Sequence, residues 1–117
     1  MKAGLNYEWA AGILEGEGCF SIFQRPTKNN KSLAIHCEMT DEDTIRKLHE
    51  VLGVGNVNYR PSRTSRKVSK ESWILSIQRQ KDVFDTLIRV MPYLGERRLT
   101  KAREMFDYLE PIICEQN

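Results

Sequence analysis

Two carboxylates, Glu15 and Glu17, stand one residue apart near the start of the chain, and each is followed by glycine. The residues before them are small and apolar, and residues 19–22 alternate as a strand does on entering a core. The pattern predicts a helix that runs directly into a strand, with two acids at the junction. A packing helix that ends in two solvated acids is the plainer alternative.

The helix before these acids has an unusually small surface. Gly12 and Gly16 lie one turn apart on the same helical face. Each glycine costs roughly 1 kcal/mol relative to alanine inside a helix, so the pair needs a reason. One reason is that glycines allow the backbone of a second helix to approach closely. This steric effect is best attested in membrane helices. The acids would then lie where the two paired helices end.

The segment from Trp9 to Gly18, WAAGILEGEG, resembles the signature of the LAGLIDADG homing endonucleases. Ala10, Ala11, Gly12, Ile13 and Leu14 occupy its small and apolar positions, Glu15 and Glu17 its acidic positions, and Gly16 and Gly18 its remaining small positions. Alanine replaces the leading leucine, and glutamate replaces both aspartates. The local match is specific because it combines small residues, two spaced acids and a strand directly after them.

Length and composition indicate one domain over residues 1–117, with ordinary apolar and charged fractions. The first 14 residues are too short and too acidic for a signal peptide, and no run of 18 apolar residues occurs. Cys19, Cys37 and Cys114 show no C-x-x-C spacing, so neither a disulfide framework nor a zinc site is favoured. We read Cys19 and Cys37 as small packing residues. A reducing intracellular compartment fits, either the cytoplasm of a prokaryote or phage host or an organelle.

Charge is strongly segregated, although the net charge is only +2. Residues 19–31 and 54–81 together hold ten lysine or arginine residues and a single acid, Glu71, so the rest of the chain is acidic. Both basic segments have the pattern of β-hairpins. A polyanionic partner explains this arrangement better than a solvated face does.

Hydrophobic periodicity predicts the order helix, two strands, helix, two strands, helix, helix. The expected elements after the motif helix are strands from residue 20 and over 32–40, a helix over 40–53, strands over 56–60 and 72–78, and helices over 81–94 and 97–109. Thr40 is the expected N-cap of the second helix, Val57 and Tyr59 are expected to face inward, and Pro111 is expected to stop the last helix.

The same order of elements is that of the homing endonucleases, and the resemblance therefore runs roughly from Tyr7 to Leu109. It implies an α+β protein with the αββαββα fold, in which a four-stranded antiparallel saddle sheet packs on helices and sits on DNA. Family members with one motif act as homodimers. This chain would accordingly pair two-fold, with Trp9, Gly12, Ile13 and Gly16 in the interface.

The resemblance also implies a metal-dependent active site. Glu17 would bind Mg²⁺ together with the Gly16 carbonyl, Mn²⁺ or Ca²⁺ would substitute for binding, and Glu15 would cap or pack near the interface. Asp41 falls where the family keeps a polar residue that positions solvent. Arg97 falls where a basic residue approaches the scissile phosphate, with Arg98 and Lys101 as rivals. The implied reaction is hydrolysis of a phosphodiester on each strand of a long, near-palindromic site.

The exposed hairpin faces would contact the major groove of double-stranded DNA. The candidates for reading bases are Ser21, Phe23, Arg25, His36, Glu38, Asn58, Arg60, Ile74, Ser76 and Gln78. The candidates for neutralising phosphates are Lys28, Lys31, Arg63, Arg66, Lys67 and Lys70. The alternative function is non-cleaving nucleic-acid binding on the same fold, either as an intron RNA maturase or as a DNA-binding regulator.

Overall fold

The computed structural model describes residues 6–62 and 70–115. Its elements are α1 (Tyr7–Glu17), β1 (Gly18–Gln24), β2 (Lys31–Met39), α2 (Glu42–Leu52), β3 (Asn56–Arg60), β4 (Ser72–Ile77), α3 (Gln80–Val90), a 3₁₀ turn (Met91–Tyr93) and α4 (Glu96–Glu115). This is the predicted order, and the α+β class is confirmed.

The four strands form one antiparallel sheet in the order β1-β2-β4-β3. Each hairpin pairs internally, and β2 joins the two hairpins by pairing with β4 from Ile35↔Ile77 to Met39↔Trp73. The two inner strands therefore come from different hairpins, while β1 and β3 form the edges. A continuous surface thus runs from the first hairpin to the second.

The core lies between one face of this sheet and the helices. Alternation along each strand turns every second residue toward the helices, which carry apolar stripes on their inner faces. The buried core comprises Ala10, Ala11, Leu14, Phe20, Leu33, Ile35, Cys37, Ile45, Leu48, Val51, Leu52, Leu75, Ile77, Val83, Leu87, Val90, Leu94, Ala102, Met105, Leu109 and Ile113. All the helices thus bury side chains in one common core.

The start of α2 differs from the prediction by one residue. Asp41, not Thr40, is the N-cap, and its carboxylate accepts hydrogen bonds from the Thr44 amide at 3.4 Å and the Thr44 hydroxyl at 2.9 Å. Both residue types can cap, so their adjacency left the position undecided by sequence. The predicted end is confirmed, since Gly53 closes α2 in the left-handed conformation at φ 74°.

The C-terminal helices also differ from the prediction. The helix expected over residues 81–94 ends at Val90 and continues as a 3₁₀ turn that contains Pro92. The expectation that Pro111 stops the last helix was wrong, because α4 continues through it to Glu115. Pro111 removes one backbone hydrogen bond, but Ile113 beyond it is buried in the core and keeps the last turn docked.

Two side chains expected to pack are exposed. Tyr59 lies on the edge strand β3 and is 52% exposed, because the five-residue strand has no neighbour on its outer side. Cys19 is exposed because it points to the sheet face opposite the helices, whereas Cys37 is buried as predicted. Cys19, Cys37 and Cys114 are all free thiols. Within residues 6–62 and 70–115, no helix combines the length and the apolar character that crossing a membrane requires.

Candidate nucleic-acid interface and active site

Glu17 is the last residue of α1, and its side chain is exposed. The next residue, Gly18, donates its amide to the Leu14 carbonyl and at once begins β1. A Cβ on Gly18 would lie 2.6 Å from that carbonyl oxygen, so only glycine fits this direct passage from helix to strand. The closing glycine of the motif therefore fixes where the Glu17 carboxylate stands relative to the sheet.

A pocket of about 400 Å³ opens beside Glu17. Its lining consists of Glu17, Glu38, Met39, Thr40, Lys70 and Ser72. The charge of Glu17 also acts on the neighbouring strand β2. Burial, with a smaller contribution from Glu17, raises the pKa of the Cys37 thiol to about 11, so this thiol stays protonated at neutral pH. The second motif acid thus shares one concave surface with the inner strands of the sheet.

Glu38 is engaged by two neighbours on the wall of this pocket. Its carboxylate accepts a hydrogen bond from Ser72 Oγ at 2.5 Å and forms an ion pair with Arg60 Nη1 at 3.3 Å. Glu38 and Arg60 were each predicted as base readers, and the structure brings them together as partners. Sequence could not show this pair, because its members lie 22 residues apart on non-adjacent strands.

Glu15 points away from the pocket and binds the start of α4. Its Oε1 accepts a hydrogen bond from the Gly95 amide at 2.8 Å, and its backbone carbonyl accepts one from Arg98 Nε at 3.2 Å. The two acids of the motif therefore have different surroundings, one exposed and one bonded within the chain. The capping role considered for Glu15 agrees with this geometry, although its partner 80 residues away was not foreseen.

The three basic residues considered at the start of α4 also differ from one another. Arg98 is half-buried and committed to the Glu15 carbonyl, and Lys101 pairs with Glu104 at 3.2 Å. Arg97 is exposed and forms no hydrogen bond or ion pair with another residue of the described ranges. Of the three, Arg97 is therefore the one available to an external phosphate.

Asp41 lies next to the pocket residue Thr40 and caps α2. Hydrogen bonds from the Thr44 hydroxyl and then the Thr44 amide hold the pKa of the Asp41 carboxyl below its ordinary value. Asp41 therefore stays ionised through the neutral and mildly acidic range. Its structural role explains its position without further chemistry, and the solvent-positioning role is still a prediction.

The outward face of α1 is open. Gly12 and Gly16 are exposed, and a Cβ on either would meet no atom of the described residues within 4 Å. Trp9 and Ile13 flank this strip and are half-buried, whereas Ala10, Ala11 and Leu14 on the inner side are fully buried. A flat apolar strip about one turn long is thus left uncovered, and it ends at Glu17.

The sheet face opposite the helices carries the predicted recognition residues in cross-strand rows. One row runs Cys19, His36, Ser76 and Asn56 across all four strands, and another runs Glu38, Ile74 and Asn58. Phe23, at 56% exposure, and Lys28 lie toward the tip of the first hairpin. Asn56 also lies on this face, as alternation with Asn58 predicts, although it was not among the residues predicted to read bases. The predicted phosphate contacts Arg63, Arg66 and Lys67 lie outside the described residues.

No group of three or more His, Cys, Asp or Glu side chains in the described ranges is arranged to hold a metal ion. At the end of α1, the chain supplies the exposed Glu17 carboxylate and the Gly16 carbonyl. This carbonyl lies in the last turn of α1, where carbonyl groups have no amide donor within the helix. Such a donor set suits Mg²⁺, which is usually held by one or two carboxylates together with substrate phosphates and water.

An αββαββ core, with helices on one sheet face and an exposed acid where the first helix enters the sheet, defines the homing-endonuclease class of folds. A family model described as LAGLIDADG endonuclease matches residues 10–102. The chain belongs to this family, and the resemblance drawn from the motif is confirmed.

Solved structures show the same fold at low sequence identity. I-CvuI in complex with its DNA target superposes with a TM-score of 0.68 and 17% identity over 89% of this chain and 65% of its own length. I-AabMI bound to uncleaved DNA gives a TM-score of 0.73, 16% identity, and 96% and 38% coverage. I-TnaI gives a TM-score of 0.67 and 18% identity over 96% of this chain and 75% of its own length. The chain thus spans less than two thirds of I-CvuI and under half of I-AabMI.

Proposed function

We propose that the protein is a site-specific double-stranded DNA endonuclease that acts as a homodimer and hydrolyses phosphodiester bonds with a divalent metal ion at a long, near-palindromic site. The observation that carries the proposal is the build of α1. One helix presents an open glycine face for a partner and, at the end of that face, an exposed carboxylate beside the polar side of the sheet.

Pairing of two α1 helices would bury the strip around Gly12 and Gly16. A two-fold interface is self-complementary, so each glycine face would meet the same face of the partner. Trp9 and Ile13 would complete the interface. The longer relatives support this reading, because the chain corresponds to only 38% of I-AabMI. Two copies together would then provide two sheets for the two half-sites of a duplex.

Pairing would also bring two copies of Glu17 together at the two-fold axis. Two close carboxylates repel each other unless cations lie between them. Glu17 and the Gly16 carbonyl would hold Mg²⁺, and Ca²⁺ or Mn²⁺ would substitute for binding. Structures of I-CvuI with DNA were obtained in the presence of Mg or Ca, which supports a divalent ion here. When bound, such an ion supplies an activated water and stabilises charge on the reacting phosphate.

Arg97 would contact the scissile phosphate, since it is the uncommitted member of the three basic candidates. Lys70 lines the pocket beside Glu17 and would neutralise a neighbouring phosphate, as Lys28 and Lys31 would farther along the first hairpin. His36, Ser76, Asn58, Ile74 and the Glu38–Arg60 pair would face base edges in the major groove. Asp41 would position solvent at the rim of the pocket.

The decisive experiment is cleavage of a randomised duplex library with Mg²⁺ by the unchanged protein and by Glu17→Gln. We expect cutting within one long, near-palindromic site, and its loss in Glu17→Gln with DNA binding retained. Glu50→Gln is the matched control, because Glu50 is an exposed glutamate on α2. Selective binding without cutting by the unchanged protein would overturn the proposal in favour of a DNA-binding regulator, and a preference for RNA in competition would favour a maturase.

A further inference from the structure

The two hydrogen bonds of Glu15 connect segments that are 80 and 83 residues apart in the chain. The carboxylate bonds to the Gly95 amide, directly before the first residue of α4, and the carbonyl bonds to the guanidinium of Arg98 in the first turn. Glu15 therefore holds both ends of the segment from Gly95 to Arg98. We call this arrangement the Glu15 clamp.

Arg97 lies inside the segment that the clamp holds. The other end of the clamp is α1, whose last residue, Glu17, follows Glu15 by two positions. A displacement of the clamped segment would therefore move Arg97 relative to Glu17. Arginine has a long side chain with many rotamers, so the position of its backbone limits where its guanidinium can reach.

We propose that Glu15 is a positioning residue that fixes the position of Arg97 relative to Glu17 of the same chain. The bond from Arg98 to the Glu15 carbonyl is the second contact that fixes it. The proposal rests on the proposed function and assigns the first motif acid a role distinct from metal binding. An ionised carboxylate is suited to this task, because it accepts a strong charge-assisted bond and interacts favourably with the N-terminus of α4.

Gly95 makes the close contact possible. A Cβ at this position would lie 3.3 Å from Glu15 Oε2 and 3.4 Å from its carboxyl carbon. A Cβ here would require the Glu15 carboxylate to shift by a few tenths of an ångström, which perturbs its bond to the Gly95 amide. Glu15 and Gly95 thus form a close contact, which a substitution at either residue would perturb.

The test is a double-mutant cycle on cleavage of the cognate duplex. Glu15→Ala is expected to lower kcat about 10- to 100-fold, the range expected for misplacement of a catalytic group, with duplex affinity unchanged within about twofold. Glu15→Gln keeps an oxygen acceptor and is expected to retain most of the activity. If Glu15 acts through Arg97, then Glu15→Ala combined with Arg97→Ala is no slower than Arg97→Ala alone. Glu50→Ala is the control for loss of an exposed glutamate.

A second readout follows amide hydrogen exchange in the protein alone. Glu15→Ala is expected to speed exchange at Gly95 and the first turn of α4, whereas the turns around Met105 and Leu109 keep their rates. If Glu15→Ala does not fold, Gly95→Ala perturbs the same contact from the other side and enters the same cycle.

Losses in kcat that multiply in the double variant, or unchanged exchange at Gly95, would overturn the proposal. The exchange readout also separates the two hypotheses. Absence of cleavage by the unchanged protein would refute the proposed function, and in that case the positioning role for Arg97 would fall with it. The clamp itself would still be supported or refuted by the exchange rates.

Discussion

The protein contains two helix–hairpin units, α1-β1-β2 and α2-β3-β4. They have the same element order, but the outward faces of their helices differ in character. In the second unit, α2 covers its outer side with ion pairs, Arg46 to Glu42 at 3.1 Å and Lys47 to Asp43 at 2.9 Å. In the first unit, the outer side of α1 carries Gly12 and Gly16 with open space above them. The outer face of α2 is thus covered by charged pairs, whereas α1 leaves an open glycine face on which the proposed partner helix would pack.

The helix ends differ in the same direction. α2 closes with a left-handed Gly53, and two further residues, Val54 and Gly55, precede β3. α1 passes into β1 without a loop, so the exposed Glu17 at its end lies beside the sheet and lines a pocket with Glu38 and Met39 of β2. The same supersecondary unit can therefore present either a charged helix face or an open one that ends beside the sheet, according to its outward residues and the length of its connection.

The largest effect on stability is expected at Gly18 and Gly53, the glycines that directly follow α1 and α2. Gly18→Ala places a Cβ 2.6 Å from the Leu14 carbonyl oxygen, so we expect a loss of about 3 kcal/mol in the free energy of unfolding. Gly53→Ala meets no neighbour but must keep φ at 74°, so a smaller loss of about 1 kcal/mol is expected. Urea unfolding of both variants measures the difference. Equal losses would show that the direct passage from helix to strand is not tightly constrained.

The next effect concerns the proposed pairing. Gly12→Leu is expected to weaken the dimer about 30-fold, which corresponds to about 2 kcal/mol. It should leave the monomer fold intact, because Gly12 is exposed and a Cβ there meets nothing within 4 Å in residues 6–62 and 70–115. Sedimentation over a concentration series measures the change. Arg46→Leu, which places the same side chain on the outer face of α2, is the matched control and should not change the association.

The two helix caps are expected to respond differently to pH. Asn6 caps α1 and Asp41 caps α2, and only Asp41 titrates. Because hydrogen bonds from Thr44 hold the pKa of Asp41 below its ordinary 3.8, its contribution is present above pH 3.8 and is lost as the pH falls through the lowered value. We expect Asp41→Ala to lower Tm by roughly 4 °C at pH 7, with the difference shrinking below pH 3.8.

Asn6→Ala provides the comparison for this pH series. Its amide carries no charge, so the loss it causes should change little over the same range. If the Tm losses caused by Asp41→Ala and Asn6→Ala both shrink at low pH, then the whole fold, rather than the Asp41 carboxylate, responds to acid.

The smallest effect is expected from the ion pairs on α2. Arg46→Ala removes an exposed pair four residues apart, and we expect a loss of about 0.4 kcal/mol at low ionic strength. The loss should disappear in 1 M salt, where the Debye length is about 3 Å. Urea unfolding at both salt concentrations measures it. A salt-independent loss would indicate that the arginine stem packs on α2.

The local patterns were sufficient for much of the fold. Alternation placed Cys37, Leu75 and Ile77 on the buried face, because a strand turns successive side chains to opposite sides. The stripe of Ile45, Leu48, Val51 and Leu52 likewise predicted α2 and its end at Gly53. Two errors concern boundaries, at Asp41 and Pro111, where two capping residues adjoin or where packing overrides a local preference. Two others concern burial, since Tyr59 and Cys19 are exposed.

For the candidate site, the spacing of Glu15 and Glu17 and the small face of α1 could be predicted, since both depend on neighbours within two helical turns. The resemblance assigned different roles to the two acids, with Glu17 at the metal and Glu15 capping or packing. The partner of Glu15 could not be predicted, because Gly95 lies 80 residues away, directly before α4.

The sequence by itself therefore determined the family, the element order and which strand face is polar, because each depends on side chains a few positions apart. Only the tertiary structure decided that Glu15 is bonded and Glu17 exposed, that Glu38 engages Arg60 and Ser72, and that Arg97 is the uncommitted base among its neighbours. These contacts join residues 22 to 83 positions apart. The packing of helices and strands brings such residues together, and local periodicity carries no information about it.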